Sequence, residues 1–328
     1  MPQADYHEAA FGALTEQYRR ELLMHCYRML GSFDDAEDML QETLLHAWRG
    51  LHTLRHQAAL RAWLYRIATN MCLDAIETRR RRGLPNLSLS PFDPDEPIPG
   101  PASEPVWIGP APDALLDLRP SANPEVAYDV RESVSLAFLA ALQTLPGRQR
   151  AILILRDVLG FSSGEVAELL DTSARAVNSA LQRARLSMKE SQTIQHGRGS
   201  ETRRTDVLLE RYVQAWQAGD AQGLVALLKE DAIFNMPPLP MWFLGRDPSR
   251  RFLEAQLFAG GARDRFRLVR TDANGCPAFA TYSKDETGIY RGGAIQVLTI
   301  VDGQIAEIDD FLAFDDRLFR LFALPPSM

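Results

Sequence analysis

The chain has 328 residues, 46% of them apolar and 24% charged, enough to bury ample core and to divide into two or three domains. No apolar run approaches the roughly 18 residues of a membrane span. A start carrying Asp5 and Glu8 lacks the cationic and apolar stretches of a secretory leader, so a cytoplasmic protein without membrane contact is expected. Cys26, Cys72 and Cys276 are odd in number, far apart and without CxxC spacing, which argues against a disulfide framework or a zinc site and for buried thiols. The net charge of −7 is unevenly placed: residues 1–83 hold 11 Lys and Arg against 11 Asp and Glu, whereas 84–125 hold one against seven.

In chain order, the helical spacing of Phe11, Leu14, Tyr18, Leu22, Met29 and Leu30 predicts a first helix that Gly31 stops. Ser32 to Asp35 reads as a capping box for a second helix. There Ala36, Met39, Leu40, Thr43, Leu44 and Ala47 line a core face, and Asp35, Asp38 and Glu42 form an acidic stripe at i, i+3 and i+7. On its own that stripe is equally compatible with a solvated face. A third helix, Leu60 to about Thr78, is predicted to bury Leu60, Leu64, Ile67, Met71 and Ala75 and to offer Arg61, Tyr65, Asn70 and Asp74 on other faces. It ends in Arg79, Arg80, Arg81 and Arg82, which suit the helix dipole and also phosphates, where each contact adds salt-dependent affinity.

The runs Asp34-Asp35-Ala36-Glu37-Asp38-Met39-Leu40-Gln41-Glu42-Thr43 and Ala62-Trp63-Leu64-Tyr65-Arg66-Ile67-Ala68-Thr69-Asn70 resemble region 2 of the sigma-70 family, extracytoplasmic-function group. The resemblance implies that the acidic helix docks on the clamp helices of the large subunit of core RNA polymerase through Asp35, Asp38, Gln41 and Glu42. It places Arg61, Trp63, Asn70, Asp74, Arg79 and Arg80 toward promoter DNA, where unstacked bases of the minus-10 element are captured. Exposing a base costs a few kcal/mol, which stacking and edge hydrogen bonds offset. Trp63 alone could equally be core.

Residues 84–125 contain 11 of the 20 prolines and can neither sustain a helix nor bury a core, so they read as a flexible, acidic tether. Forty-odd flexible residues average roughly 35 Å end to end and stretch farther as polyproline helix. Promoter boxes about 17 base pairs apart lie on the order of 55 Å apart, a span such a tether covers. Within it, Val106-Trp107-Ile108-Gly109-Pro110 is an apolar patch that suits a docking peptide, and Trp107 and Pro110 match the Trp/Pro-rich motif that sigma factors with an extra C-terminal domain carry at this place.

Residues 126–192 read as a helix-turn-helix: Phe161 to Leu170, a turn at Asp171 to Ser173, and Ala174 to Met188, with Val166, Ala167, Leu170, Val177 and Leu181 joining the helices. Ser173, Arg175, Asn178, Ser179 and Gln182 are then free for base edges, and Arg183 or Arg185 for phosphate. With Leu145 to Arg150 ahead of it, this resembles region 4 of the same family, which reads the minus-35 element and contacts the polymerase flap. Ala176, Asn178 and Ala180 stand where many relatives carry Thr, Lys and Arg, so fewer polar base contacts are expected.

From 203 to 328 the pattern is helices, then mostly strands: Val207, Leu208, Tyr212 and Trp216 on one helix, Leu224, Leu227 and Leu228 on a second, Arg251 to Phe258 on a third. Strands at Phe266 to Val269, Ala278 to Tyr282, Gly292 to Val301 and Gln304 to Phe314 are divided by Asn274-Gly275, Asp285-Glu286 and Asp302-Gly303. Phe234 to Pro238, Trp242 to Arg246 and the last hairpin resemble the SnoaL-like branch of the nuclear-transport-factor-like superfamily. The implied whole is two all-α modules joined by a Pro-rich linker, followed by an α+β cone with a curved antiparallel sheet. Candidates for a pocket lining are Met236, Met241, Trp242, Phe252, Tyr282, Tyr290 and Phe311, with Asp309 or Asp310 near the mouth, and a small hydrophobic ligand is the expected occupant. Trp242 and Asp309, with Trp107 and Pro110, are the expected regulatory contacts. No catalytic residue, metal or cofactor is assigned. Two rival readings stand beside the promoter-reading one: a conventional DNA-binding regulator with a ligand-sensing cone, and a cyclase- or isomerase-like cone enzyme using Asp309, Asp310, Tyr282 or Tyr290.

Overall fold

The computed structural model describes the whole chain except residues 1, 55, 57–58, 79–81, 102–106, 117–131, 193–201 and 261–262 and, beyond those, the side chains of 2–10, 13, 190–192 and 202–204. It falls into two compact units, Met1–Arg82 with Leu115–Ile194, and Gly83–Ala114 with Gln195–Met328.

The first unit opens with α1 (Pro2–Leu30), α2 (Phe33–Gly50) and α3 (Leu60–Thr78). Gly31 takes a φ of 70° and donates its N–H to Tyr27 C=O at 2.8 Å, the left-handed closure that ends α1. Ser32 Oγ then accepts from Asp35 N–H at 3.3 Å and starts α2. The buried face of α3 is Leu60, Leu64, Tyr65, Ala68, Thr69 and Cys72. It is rotated from the expected one: Ile67, Met71 and Ala75 are only half-buried. Tyr65 causes the rotation. Its ring packs edge-on against His25 and Phe161, with centroids 5.2 and 5.3 Å away, while its hydroxyl reaches Glu21 C=O, so a residue with a polar tip takes a core position.

The unit continues with α4 (Leu136–Thr144), α5 (Gly147–Leu153, widening into a π turn over Ile154–Val158), α6 (Ser163–Leu169) and α7 (Ala174–Gln192). Ser162 and Glu165 close a reciprocal capping box on α6, and Ser173 Oγ accepts from Ala176 N–H to start α7. Between them Asp171 turns the chain at a φ of 48°. Val166, Ala167, Leu170, Val177 and Leu181 are all buried where the two helices meet.

The second unit holds α8 (Thr202–Ala218), α9 (Ala221–Val225), α10 (Arg246–Phe252) and α11 (Arg317–Leu321) around a six-stranded sheet. Its strands are β1 (Leu228–Asn235), β2 (Trp242–Leu244), β3 (Phe266–Ala273), β4 (Cys276–Lys284), β5 (Tyr290–Val301) and β6 (Gln304–Leu312), in the order β2-β1-β6-β5-β4-β3. All neighbours are antiparallel except β1 and β6. Asn274-Gly275 and Asp302-Gly303 both adopt positive φ at each residue, as tight two-residue hairpins require. Register shifts at Thr281/Tyr282 and Thr299/Ile300 bend the sheet around a core that includes Tyr212, Trp216, Phe234, Phe252, Phe279 and Leu298. The periodicity did not announce β1 and β2: the first starts at Leu228, which the spacing places on the helix with Leu224 and Leu227, runs through the charged Lys229-Glu230-Asp231 and shifts register, and the second is three residues long.

The proline-rich segment differs from its expectation as a free tether. Its described residues within Gly83–Ala114 pack on the cone. Ile108 N–H donates to Gly83 C=O at 2.9 Å, which draws the start and end of the segment together. Trp107 Nε1 donates to Pro238 C=O at 2.9 Å, Trp242 Nε1 to Leu89 C=O at 2.9 Å, and Ala111 N–H to Asn274 Oδ1 at 2.9 Å. A chain rich in proline builds no ladder of its own, so its polar groups pair across to the cone: the Leu89 C=O with the Trp242 indole, the Ala111 N–H with the Asn274 amide oxygen, and the Trp107 indole with the Pro238 C=O.

Candidate nucleic-acid interface

On α2, Asp38, Gln41 and Glu42 are exposed, one turn apart on one face. Asp35 is not presented in the same way: its carboxylate accepts from Arg82 Nη2 at 2.6 Å, and the two side chains are only 16% and 12% exposed. Asp38, Gln41 and Glu42 are thus the exposed members of the expected docking set, and Asp35 ties the start of α2 to Arg82, just past α3. Arg79 and Arg80 lie outside the described residues.

The outer side of α3 and the end of α2 form an open concavity of about 320 Å³, lined by His46, Gly50, Trp63, Ile67, Asn70 and Met71. Trp63 is half-buried here and lines the concavity together with the exposed Asn70. An indole offers a stacking surface worth ~1–3 kcal/mol per base, and a carboxamide offers a donor and an acceptor to a base edge. His46, Ile67 and Met71 were missed as members of this site. The rotation of α3 by Tyr65, which no local pattern signals, is what exposes the last two. Arg61 and Asp74 do not join the concavity. Arg61 pairs with Glu21 at 3.2 Å and lies over the Tyr65 and Phe161 rings, and Asp74 is exposed farther along α3.

On α7, Ser173, Arg175, Asn178, Ser179, Gln182, Arg183 and Arg185 are all exposed. Asn178, Gln182, Arg185 and Lys189 share one stripe and, with Arg156 and Leu186, bound a second open groove of about 400 Å³. Three of these six carry positive charge, which suits a phosphate-flanked groove. Asp157 holds Arg185 at 2.7 Å, and Ser163 Oγ donates to Asn178 Oδ1 at 2.6 Å, so both side chains are oriented before any DNA arrives. Neither Arg156 nor Lys189 was expected here: Arg156 lies on the π turn ahead of the two-helix motif, and Lys189 is one residue past the expected helix end at Met188.

In the cone, the expected mouth residues sit elsewhere. Period-two alternation sends Asp309 and Asp310 to opposite faces of β6. Asp309 lies beside Asn235, whose Nδ2 donates to Asp309 Oδ1 at 2.8 Å and Glu307 Oε1 at 3.0 Å, while Asn235 Oδ1 accepts from Asn86 N–H of the proline-rich segment at 3.1 Å. Asp310 faces the core near Gln296, which accepts from the Tyr212 hydroxyl at 2.7 Å. Both aspartates are buried, and burial pushes both carboxyls up to about 7. Met236, Met241 and Phe252 are packed in the core. Tyr282 donates to Pro325 C=O and Tyr290 to Asp264 C=O, so both hydroxyls are engaged. Pro110 is buried beside Trp107 in the packed segment.

Comparison with known proteins bears on the same three regions. Residues 14–82 match sigma-70 region 2, 135–188 match sigma-70 region 4, and 209–308 match a SnoaL-like domain. The ECF RNA polymerase sigma factor SigG of Mycobacterium tuberculosis is 42% identical over 99% of this chain and 86% of its own length. SigE of Mycolicibacterium smegmatis is 31% identical over 54% of this chain and 59% of its own length. The crystal structure of the M. tuberculosis extracytoplasmic function sigma factor SigJ has the same fold, with a TM-score of 0.59 at 24% identity, covering 97% of this chain and 99% of that one. With near-complete coverage at 42% identity and both sigma-70 regions in place, the chain belongs to the ECF group of RNA polymerase sigma factors.

Proposed function

We propose that this sigma factor grips core polymerase through Asp38, Gln41 and Glu42 on α2, with the clamp helices of the large subunit as the receiving surface. It captures an unstacked minus-10 base between Trp63 and Asn70 and lays α7 in the major groove of the minus-35 element. The observation that carries this reading is the aromatic and carboxamide concavity on α3, one helix away from exposed carboxylates. One partner is cationic and the other is DNA, and the two surfaces have the matching chemistry. Among the α7 residues, Asn178 and Gln182 face bases and Arg183, Arg185 and Lys189 face phosphates.

The SnoaL-like cone acts on this process through the proline-rich segment that joins the two sigma modules, with Trp107, Pro110, Trp242 and Asn235 as its contacts. Asp309 is engaged inside the sheet by Asn235, and Asp310 lies buried near Gln296 and Tyr212; the binding role proposed for the cone rests on the packed proline-rich segment. A cytoplasmic location follows from a polymerase partner. Run-off transcription with purified core enzyme on genomic fragments tests the proposal. Trp63→Ala and Asn70→Ala are each expected to reduce promoter-specific transcript at least tenfold, by loss of ~1–3 kcal/mol or more of base capture. If both variants transcribe like the wild type, base capture lies elsewhere.

A further inference from the structure

On the cone, residues 263–270 hold four arginines against one acid, Asp264, in a chain whose net charge is −7. β3 is an edge strand of the sheet, and its alternation sorts them. Phe266 and Leu268 pack on the core, and Arg270, on the same face, pairs with Asp206 of α8 at 3.3 Å. Arg267 belongs to the other face, across from Tyr282 of β4, and its guanidinium stands 4.2 Å from the centre of the Tyr290 ring. Lys284, at the end of β4 and across from Tyr290, brings Nζ to 5.7 Å from the same ring. Arg265 is its neighbour on β3's approach, since Arg265 C=O accepts from Lys284 N–H at 2.8 Å.

The Tyr290 ring is held in place: it is 7% exposed and its hydroxyl donates to Asp264 C=O at 2.6 Å, while Arg265, Arg267 and Lys284 are exposed around it. Arg250, Arg251, Arg270, Arg291 and Arg320 of the cone each pair with a carboxylate. Arg265, Arg267 and Lys284 pair with none among the described residues. Asp285, the acid next to Lys284, is taken up by Arg291 at 2.7 Å and by the N–H groups of Thr287 and Ile289. The proline-rich segment reaches only the opposite end of β3, where Asp113 N–H donates to Asp272 C=O. Arg267 and Lys284 lie over one ring, so no more than about 10 Å separates them, and like charges at that range repel. A row of phosphates relieves that repulsion, and phosphates advancing ~3.4 Å each along a strand fit the span.

We propose that Arg265, Arg267 and Lys284, grouped around Tyr290, form a backbone contact through which the cone holds promoter duplex outside the two boxes. Chain length argues for DNA as the occupant. The ten residue steps from Gln192, the end of α7, to Thr202, the start of α8, span at most about 36 Å. A domain of the cone's size is roughly 35 Å across. With α7 seated in the minus-35 groove, a placement on which this inference rests, every surface of the cone stays within about 70 Å, or about 20 base pairs, of that box. The polymerase surface that receives the carboxylates of α2 is cationic and would repel this patch. Contacts to phosphate carry no sequence information, so this one adds affinity and salt dependence rather than specificity.

The test uses holoenzyme assembled from core polymerase and the full chain, on promoter fragments with long flanking duplex. Hydroxyl-radical footprints and the salt dependence of affinity are compared for the wild type, for Arg267→Gln with Lys284→Gln, and for the swap Arg267→Lys with Lys284→Arg, which keeps both charges. Wild type and swap are expected to protect backbone outside the boxes, within about 20 base pairs of minus-35. The Gln pair is expected to lose that flank and keep both boxes, to bind about tenfold more weakly at low salt, and to lower the salt slope by about two. A footprint and slope equal to the wild type's overturn the contact, as does protection lost equally over flank and boxes. If the Gln pair leaves the flank protected and weakens capture of core polymerase without DNA, the patch meets protein and the proposal fails. A wild type that protects neither box overturns the promoter-reading assignment itself, and the contact with it.

Discussion

The two compact units bury ionisable side chains of opposite kind. In the first, Arg28 and Arg150 are inside, held by carbonyl oxygens. In the second, Glu307, Asp309 and Asp310 are inside, held near the amides of Asn235 and Gln296. The difference follows from backbone chemistry. A helical bundle leaves unpaired C=O groups at every helix end, ready to receive a guanidinium. A sheet consumes its backbone groups in the ladder, so a carboxylate buried against it needs an amide side chain from a neighbouring strand. The first unit thus holds its buried cations at carbonyls beside helix ends, whereas the second holds its polar groups in adjacent strands.

The largest effect that sharpens this contrast is expected from Trp107→Ala. It removes a buried indole and leaves Pro238 C=O without its donor, at a cost of about 3 kcal/mol. Calorimetry should show the cone transition falling and the other unit's transition holding. Hydrogen exchange should quicken across residues 83–101 and 107–114, the described part of the packed segment. Unchanged exchange there would mean that the segment is not held by its indole.

Arg150→Met acts on the other unit. Met29, Gln143 and Leu145 each lose a donor to their carbonyls, and leaving such groups buried costs roughly 2 kcal/mol. The first transition should drop and the cone should not respond. A variant as stable as the wild type would show that the guanidinium's own desolvation cancels its bonds.

Titration separates the units by sign. Burial holds the His25 ring down to about 3, with Arg28 adding to it, and pushes Asp310 up to about 7. His25 is neutral in the fold, so its contribution is complete above the unfolded value near 6.5 and is lost as pH falls toward 3. Asp310 keeps its proton in the fold, so its contribution is complete below the unfolded value near 3.8 and is lost as pH rises through about 7. Asp310→Asn, a neutral isostere, is expected to flatten the fall in cone stability between pH 4 and 7, read from thermal midpoints, and to leave the first unit's pH profile as it was. An unflattened profile would place the proton elsewhere.

The helical modules were largely legible in the sequence because their signals are local. Gly31, Ser32, Ser162 and Ser173 each mark an end through one hydrogen bond or one dihedral angle, and α3 runs over the residues that its spacing predicts. The helix-turn-helix core and the exposed stripe of α7 follow from the same 3.6-residue period. What stayed hidden depends on distant partners. The rotation of α3 needs Phe161 beside Tyr65, the packed proline-rich segment needs Trp242 and Asn274, and the burial of Asp309 needs Asn235 on a strand 74 residues away in sequence. Composition reports that residues 84–125 build no core of their own, and in the described residues of Gly83–Ala114 the cone supplies partners for the backbone.

The smallest change in stability is expected at the α2 surface proposed to meet polymerase. Asp38→Lys with Glu42→Lys touches two exposed side chains, and such substitutions stay within about 0.5 kcal/mol of wild type. Capture of core polymerase should nevertheless fall steeply, because two favourable charge contacts become two repulsive ones. Asp35→Asn is the contrasting variant. It gives up the pair with Arg82, a largely covered ion pair worth roughly 1 kcal/mol, and should lower the first transition slightly while capture stays near normal. If Asp35→Asn abolishes capture and the double charge reversal does not, the polymerase contact lies at the start of α2, and Arg82 must release Asp35 before the enzyme can bind.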